Sequence, residues 1–143
     1  MEHIRRWQVL ILVLAALPLA ACQGGSEEEE EGGDEPARIV PVEGSDTSRV
    51  ILTAQAAERL GIQTAPVRDV AGGTVIPYSA VVYDPDGKTW AYANPEPLTF
   101  LRSAITVDRI TGDEAFLLEG PPPGTAVVTI GAVELYGAEL GIE

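Results

Sequence analysis

The apolar and polar positions of the chain divide it into three parts. An apolar run covers residues 7–19, an acidic run follows, and short segments of alternating polarity begin near Ser48. In the third part, Ile105 and Val107 alternate with polar or small residues, which is the two-residue period of a half-buried strand. This pattern predicts a mainly β domain at residues 48–143.

The first elements of this domain are a strand and a short helix. Residues 50–52 are β-branched or apolar and predict a strand. Thr53 is placed to cap a helix that runs through Leu60, and Gly61 stands where such a helix ends. An extended segment is expected over residues 62–70, with Pro66 at an edge or a bend.

A hairpin is predicted at the centre of the domain. The turn sequence Asp-Pro-Asp-Gly-Lys at 84–88 separates the extended runs 79–83 and 89–94. In the second run Trp90 and Tyr92 share one face. The turn chemistry also assigns Asp84 and Asp86 to turn formation rather than to a calcium loop, which needs more acidic ligands.

Three further strands complete the prediction, and one helical turn follows them. The strands are expected at 98–110, 115–118 and 125–130, and the turn at 133–136, before Gly137. The apolar run at 126–128 indicates a strand covered on both faces. Short strands at this spacing favour a small antiparallel barrel or sandwich with one short helix.

The N-terminus has the anatomy of a secretory signal peptide. A basic head with His3, Arg5 and Arg6 precedes the apolar run. At its end, Leu19, Ala20 and Ala21 precede Cys22, the only cysteine of the chain. Leu-Ala-Ala-Cys resembles the bacterial lipobox. The resemblance implies recognition of Leu19, Ala20 and Ala21 by signal peptidase, cleavage after residue 21 and diacylation of Cys22. The alternative, an uncleaved membrane helix, needs about 20 apolar residues, and this run is shorter.

Residues 22–47 are predicted to form a lipid anchor and a disordered acidic linker. Glycines flank five consecutive glutamates at 27–31, and such a composition has no apolar side chains to bury. Loose calcium capture by this run is the alternative, although calcium sites need a preformed cage of oxygens. The chain is therefore expected to be exported and attached to a membrane as a lipoprotein, on the periplasmic or extracytoplasmic face.

The charge of the chain argues against nucleic acid as a partner. The 143 residues carry 22 acids and 9 Lys or Arg, a net charge of −13. Loss of residues 1–21 removes one acid and two arginines, which leaves −14. Such a chain repels phosphate backbones and anionic head groups, so lipid must hold it at the membrane.

The residue types that remain after processing limit the chemistry. His3, Met1 and Cys22 are the only residues of their types, and the first two are removed while the third is acylated. Transition-metal sites and nucleophile–histidine pairs draw on those groups. We therefore predict no metal, no cofactor and no catalytic residue. A carboxylate-only glycosidase is the enzyme alternative, and its candidate acids show no identifiable cleft in the sequence: Asp84, Asp86, Asp108, Asp113 and Glu114.

Two segments resemble the periplasmic adaptor subunits (membrane fusion proteins, HlyD-like) of RND-type efflux pumps. Residues 50–67, VILTAQAAERLGIQTAPV, resemble the segment that leads into the adaptor. Residues 76–141, with IPYSAVVYDPDGKTWAYA and GPPPGTAVVTIGAVEL, resemble its C-terminal membrane-proximal domain. In the family a lipoyl domain, a helical hairpin and a β-barrel separate these segments, whereas here only a short stretch that contains residues 71–74 does. The resemblance therefore implies a stand-alone membrane-proximal module that binds a membrane transporter or another envelope protein.

Four residues are candidates for partner binding: Trp90, Tyr92, Phe100 and Arg102. The aromatic residues either fill the core or form a docking patch, since both uses suit large aromatic side chains. Arg102 and Arg109 either pair at the surface with Asp108, Asp113 or Glu114, or contact an acidic transporter. A different function, small-molecule binding or sensing, would use the barrel mouth beside Trp90 and Tyr92.

Overall fold

The computed structural model describes residues 35–142. Ten strands, two α-helices and a short 3-10 helix at 78–80 follow in chain order. The elements are β1 (Ala37–Pro41), β2 (Ser48–Leu52), α1 (Ala54–Leu60), β3 (Gln63–Pro66), β4 (Arg68–Val70), β5 (Gly73–Pro77), β6 (Val82–Tyr83), β7 (Thr89–Glu96), β8 (Thr99–Thr111), β9 (Glu114–Glu119), β10 (Ala126–Ile130) and α2 (Ala132–Leu140).

The strands form one antiparallel, nearly closed barrel-like sheet. Their order is β3-β10-β7-β8-β9-β5-β4, so the two edge strands β3 and β4 follow each other in the chain. Between them, the Val67 amide donates to the Thr125 carbonyl at 2.8 Å, and the Gly124 amide donates to the Val67 carbonyl. These bonds hold the bend between the edge strands. The predicted mainly β fold with hairpins is confirmed.

β1 and β2 lie outside this path and extend the sheet. β2 pairs with β1 on one side and with the first part of β8 on the other. β8 is 13 residues long, so its beginning belongs to the extension and its remainder to the barrel. The predicted linker at 22–47 is therefore too long at its C-terminal end. Ile39 and Val40 give residues 37–41 enough apolar surface to pair with β2.

Two groups of buried residues form the core, on opposite faces of the sheet. One lies between the sheet and the helices and includes Val50, Phe100 and Leu135. The other fills the barrel and includes Ile76, Ile105 and Leu117. The adjacent residues Val127 and Val128 belong to different groups and are both fully buried. This confirms the prediction that the last strand is covered on both faces.

The predicted first helix is confirmed, including both caps. The Thr53 side chain accepts a hydrogen bond from the Ala56 amide, and Gly61 adopts φ 64°, the left-handed conformation of a helix end. The C-terminal helix is longer than predicted, so the fold has two α-helices rather than one. Gly137 lies inside α2, and the helix ends at Gly141, whose φ is 65°. Burial of Leu135 and Glu139 on either side of Gly137 outweighs the helix cost of a glycine, about 1 kcal/mol.

Candidate protein-binding surface

The predicted aromatic residues lie on the helix-covered face of the sheet. Tyr92 is 0% exposed and Phe100 is 2% exposed. Trp90 is half-buried and packs against the same core group. The hypothesis that these residues form a docking patch is therefore wrong for Tyr92 and Phe100, because α1 and α2 cover the sheet face on which they lie.

Arg102 lies on this face too, paired with Glu139 of α2. Its Nε is 3.2 Å from Glu139 Oε2, with only 8% and 2% of the two side chains exposed. The Nε lacks hydrogen-bond geometry, so this contact is an ion pair without a hydrogen bond. The guanidinium carbon lies 4.4 Å from the Trp90 ring centre and 5.4 Å from that of Tyr136. The predicted surface pairing of Arg102 is wrong, since a strand residue two positions from Phe100 shares its inward face.

Hydrogen bonds complete the surroundings of Glu139. The Tyr92 hydroxyl donates to Glu139 Oε2, and the Ser48 amide donates to Oε1 at 2.9 Å. Burial, together with this hydrogen bond to Glu139, raises the pKa of the Tyr92 hydroxyl well above its ordinary value. The network joins β2, β7, β8 and α2, and we assign it a structural role. The role of Glu139 was not predicted, because the helix was expected to end before this residue.

Other predicted roles fit the structure. Arg109 Nη1 lies 2.7 Å from Asp108 Oδ2, and the Arg109 guanidinium stacks on the Phe116 ring at 3.9 Å. Asp84 accepts from the amides of Asp86 and Lys88 and from the Trp90 indole. The indole bond, with smaller contributions from the turn, holds the pKa of Asp84 below its ordinary value. Asp84 is thus the turn former that the sequence predicted.

The opposite face of β1, β2 and β8 has a different character. Two rows of paired residues cross this face. In the first row, Arg38 of β1 is opposite Ile51 of β2. In the second row, Arg49 of β2 lies between Val40 of β1 and Leu101 of β8 and is paired with both. We call these five residues the cationic sheet face. The arginines are exposed and the three apolar residues are half-buried. None of the five belongs to either core group or packs against one.

The charges of this face have no ionic partner within residues 35–142. The ion pairs there are Arg68–Glu114, Arg102–Glu139 and Arg109–Asp108. Arg38 and Arg49 take part in none of them. They occupy diagonal positions on neighbouring strands, about 7–8 Å apart. Two arginines beside apolar side chains form a surface suited to an acidic protein partner.

Comparison with protein-family models, curated proteins and solved structures gives no match for this chain. The resemblance to efflux adaptors therefore stays a prediction from the sequence.

A cleft is formed by residues of β6, β7 and β8 and of the turn between β6 and β7. It is open, has a volume of about 450 Å³, and is lined by residues that include Tyr83, Lys88, Trp90 and Thr106. Tyr92 does not line it, so the predicted ligand position beside both aromatics is wrong for Tyr92. Tyr92 is enclosed under α2, so only Trp90 of the two aromatic residues reaches this cleft.

Residues 35–142 were also compared with the requirements of a metal site and of a membrane-spanning helix. No three His, Cys, Asp or Glu side chains in residues 35–142 are grouped closely enough to hold a metal ion. Within the same residues, neither helix has the length and apolar content that crossing a bilayer requires. The lipobox residues Leu19, Ala20, Ala21 and Cys22 lie outside the described residues.

Proposed function

We propose that this protein is a lipid-anchored, non-catalytic envelope protein that binds an acidic surface of a membrane transporter. The cationic sheet face makes the contact in this proposal, and Cys22 supplies the anchor. The sequence resemblance to the membrane-proximal domain of efflux adaptors supports a transporter as the partner.

The observation that carries the proposal is the exposed pair Arg38 and Arg49 beside Val40, Ile51 and Leu101. In a chain with a net charge of −13, most of the surface repels an acidic partner. A local cationic patch favours one orientation of binding, because its two neighbouring arginines attract carboxylates. The half-buried apolar side chains beside it then supply the area that leaves water on contact.

Site-specific photo-crosslinking in native membranes tests this function. A photoreactive amino acid at Ile51 samples the cationic sheet face, and the same group at Glu58, an exposed position on α1, is the matched control. We expect an integral membrane transporter to be crosslinked from position 51 and not from position 58. The charge reversals Arg38→Glu and Arg49→Glu together should abolish that crosslink.

The anchor is tested separately with Cys22→Ser. We expect this variant to leave the membrane fraction or to accumulate unprocessed, while the wild-type chain remains with the membrane after a high-salt wash. Equal crosslinking from positions 51 and 58, or a crosslink unaffected by both charge reversals, contradicts the proposed binding face.

A second candidate function is small-molecule binding in the cleft beside Tyr83, Lys88 and Trp90. The cleft combines two aromatic side chains with one cation, which suits an aromatic or anionic compound. Titration of tryptophan fluorescence with candidate efflux substrates distinguishes the two functions, with Lys88→Gln as the variant. A saturable signal that Lys88→Gln weakens supports binding in the cleft.

A further inference from the structure

An apolar groove is bounded by the two helices, by β1 and by residues 35–36, away from the cationic sheet face. It is open, has a volume of about 460 Å³, and has Leu52 and Ala56 among its lining residues, both buried. From α1 the lining includes Arg59 and Leu60, and from α2 it includes Glu134. Arg59 and Glu134 form no ion pair within residues 35–142.

Helix α2 is apolar on the side that faces away from the core. At 3.6 residues per turn, Glu134, Ala138 and Gly141 line the groove, and Val133, Gly137 and Leu140 lie along the adjoining stripe. Val133 is 68% exposed and Leu140 is 47% exposed. Exposed apolar side chains grouped along one stripe of a surface helix mark a candidate contact surface.

We propose that this groove, with the adjoining stripe of α2, is the interface of a homodimer. The same patch holds both a groove and an apolar ridge, and within residues 35–142 its one cation, Arg59, and its acids, Glu134 and Glu35, are in no ion pair. A two-fold interface requires this self-complementarity, because each contact occurs twice with the roles exchanged. In the dimer, Arg59 of one protomer faces Glu134 of its partner, and the ridge of each protomer enters the groove of the other.

The C-cap of α2 leaves room for a partner. A Cβ at Gly141 would meet no other group within 4 Å, whereas one at Gly137 would lie 3.5 Å from the Ile142 carbonyl oxygen. A facing helix can therefore approach the backbone closely at Gly141. The dimer uses different residues from the cationic sheet face, so it does not rest on the proposed function.

Sedimentation velocity over a range of concentrations tests the dimer. The sample is the chain from residue 22 onwards with Cys22→Ser, which keeps every described residue. We expect a concentration-dependent monomer–dimer equilibrium. Arg59→Glu or Glu134→Arg alone places like charges together twice per dimer, and each should raise the dissociation constant at least about tenfold.

Two combinations then identify the contact. The double variant Arg59→Glu/Glu134→Arg restores opposite charges and should return the dissociation constant to within about threefold of wild type. A mixture of the two single variants should form heterodimers, because the introduced glutamate of one chain then meets the introduced arginine of the other, and the two unchanged residues meet at the second contact. The controls Arg49→Glu and Glu43→Arg make the same changes in net charge at exposed positions outside the groove and should leave the equilibrium unchanged.

Circular dichroism establishes that each variant is folded, as expected for two side chains at the surface. A wild-type chain that stays monomeric at the highest concentration overturns the proposal. So does a double variant, or a mixture, that associates as weakly as the single variants. Neither result bears on crosslinking from Ile51, so the dimer and the transporter contact fail independently.

Discussion

The two faces of strands β2 and β8 carry similar residues, but helices cover only one of the faces. On one face, α1 and α2 cover Val50, Phe100 and Arg102, and the arginine is paired with a buried carboxylate. On the other face, Arg49 and Leu101 are next to them in sequence but lie outside both core groups. An arginine in a strand is therefore a structural residue or a binding candidate according to which face is covered.

The largest contrast is expected between neighbouring residues of β8. Phe100→Ala removes a ring that is 2% exposed and should lower the free energy of unfolding by about 3–5 kcal/mol. Leu101→Ala, on the half-buried face, should cost about 1 kcal/mol or less. Urea denaturation measures both values. Similar losses from the two variants would mean that the outer face is covered as well.

Glu139→Gln tests the buried ion pair. The substitution keeps the side-chain volume but leaves the charge of Arg102 without a partner, which should cost about 3–5 kcal/mol. Glu58→Gln is the control, because Glu58 is exposed and in no ion pair within residues 35–142. Denaturant titration of both variants gives the comparison. A loss as small as that of the control would place Arg102 in water, as the sequence had suggested.

Tyr92→Phe removes one hydrogen bond to Glu139 and should lower stability by about 1.5–3 kcal/mol at neutral pH. The pKa of Tyr92 is higher in the folded chain than in the unfolded chain. Its contribution is therefore complete below the ordinary value of 10.0 and declines above it. We expect the difference in the free energy of unfolding between wild type and Tyr92→Phe, measured from pH 8 to pH 11, to become smaller at the alkaline end. A constant difference would contradict the assigned hydroxyl environment.

The smallest effect on stability is expected at the cationic sheet face. Arg38→Gln and Arg49→Gln together should change the free energy of unfolding by no more than about 0.5 kcal/mol, because both side chains are exposed. The same variant should lose the transporter crosslink from position 51. Thermal denaturation and crosslinking on one preparation separate stability from binding. A large stability loss would show that these arginines hold the fold.

Local signals in the sequence were sufficient for most of the β structure. Thr53 and Gly61 marked both ends of α1, and the Asp-Pro-Asp-Gly turn located the central hairpin. Val127 and Val128 indicated cover on both faces because no polar residue alternates with them. These features depend on neighbours in the chain, so the sequence contains them.

Features that depend on distant contacts were missed. Glu139 meets Tyr92 and Ser48, which lie 47 and 91 positions away, and nothing near residue 139 indicates those partners. The length of α2 was underestimated because Gly137 looks like a helix end when packing is ignored. The cationic sheet face had a partial signal, since Arg38 and Val40 share one parity in a strand. Its exposure could not be predicted without knowing which face the helices cover.

The unbroken length of β8 has a mechanical consequence. Thirteen residues at about 3.3 Å each make a continuous strand of roughly 40 Å from Thr99 to Thr111. One end carries Leu101 of the outer surface, and the other reaches the turn at Gly112. A force on Leu101 is therefore transmitted along the backbone into the barrel wall, where two register shifts between Thr106 and Arg109 interrupt the pairing of β8 with β9.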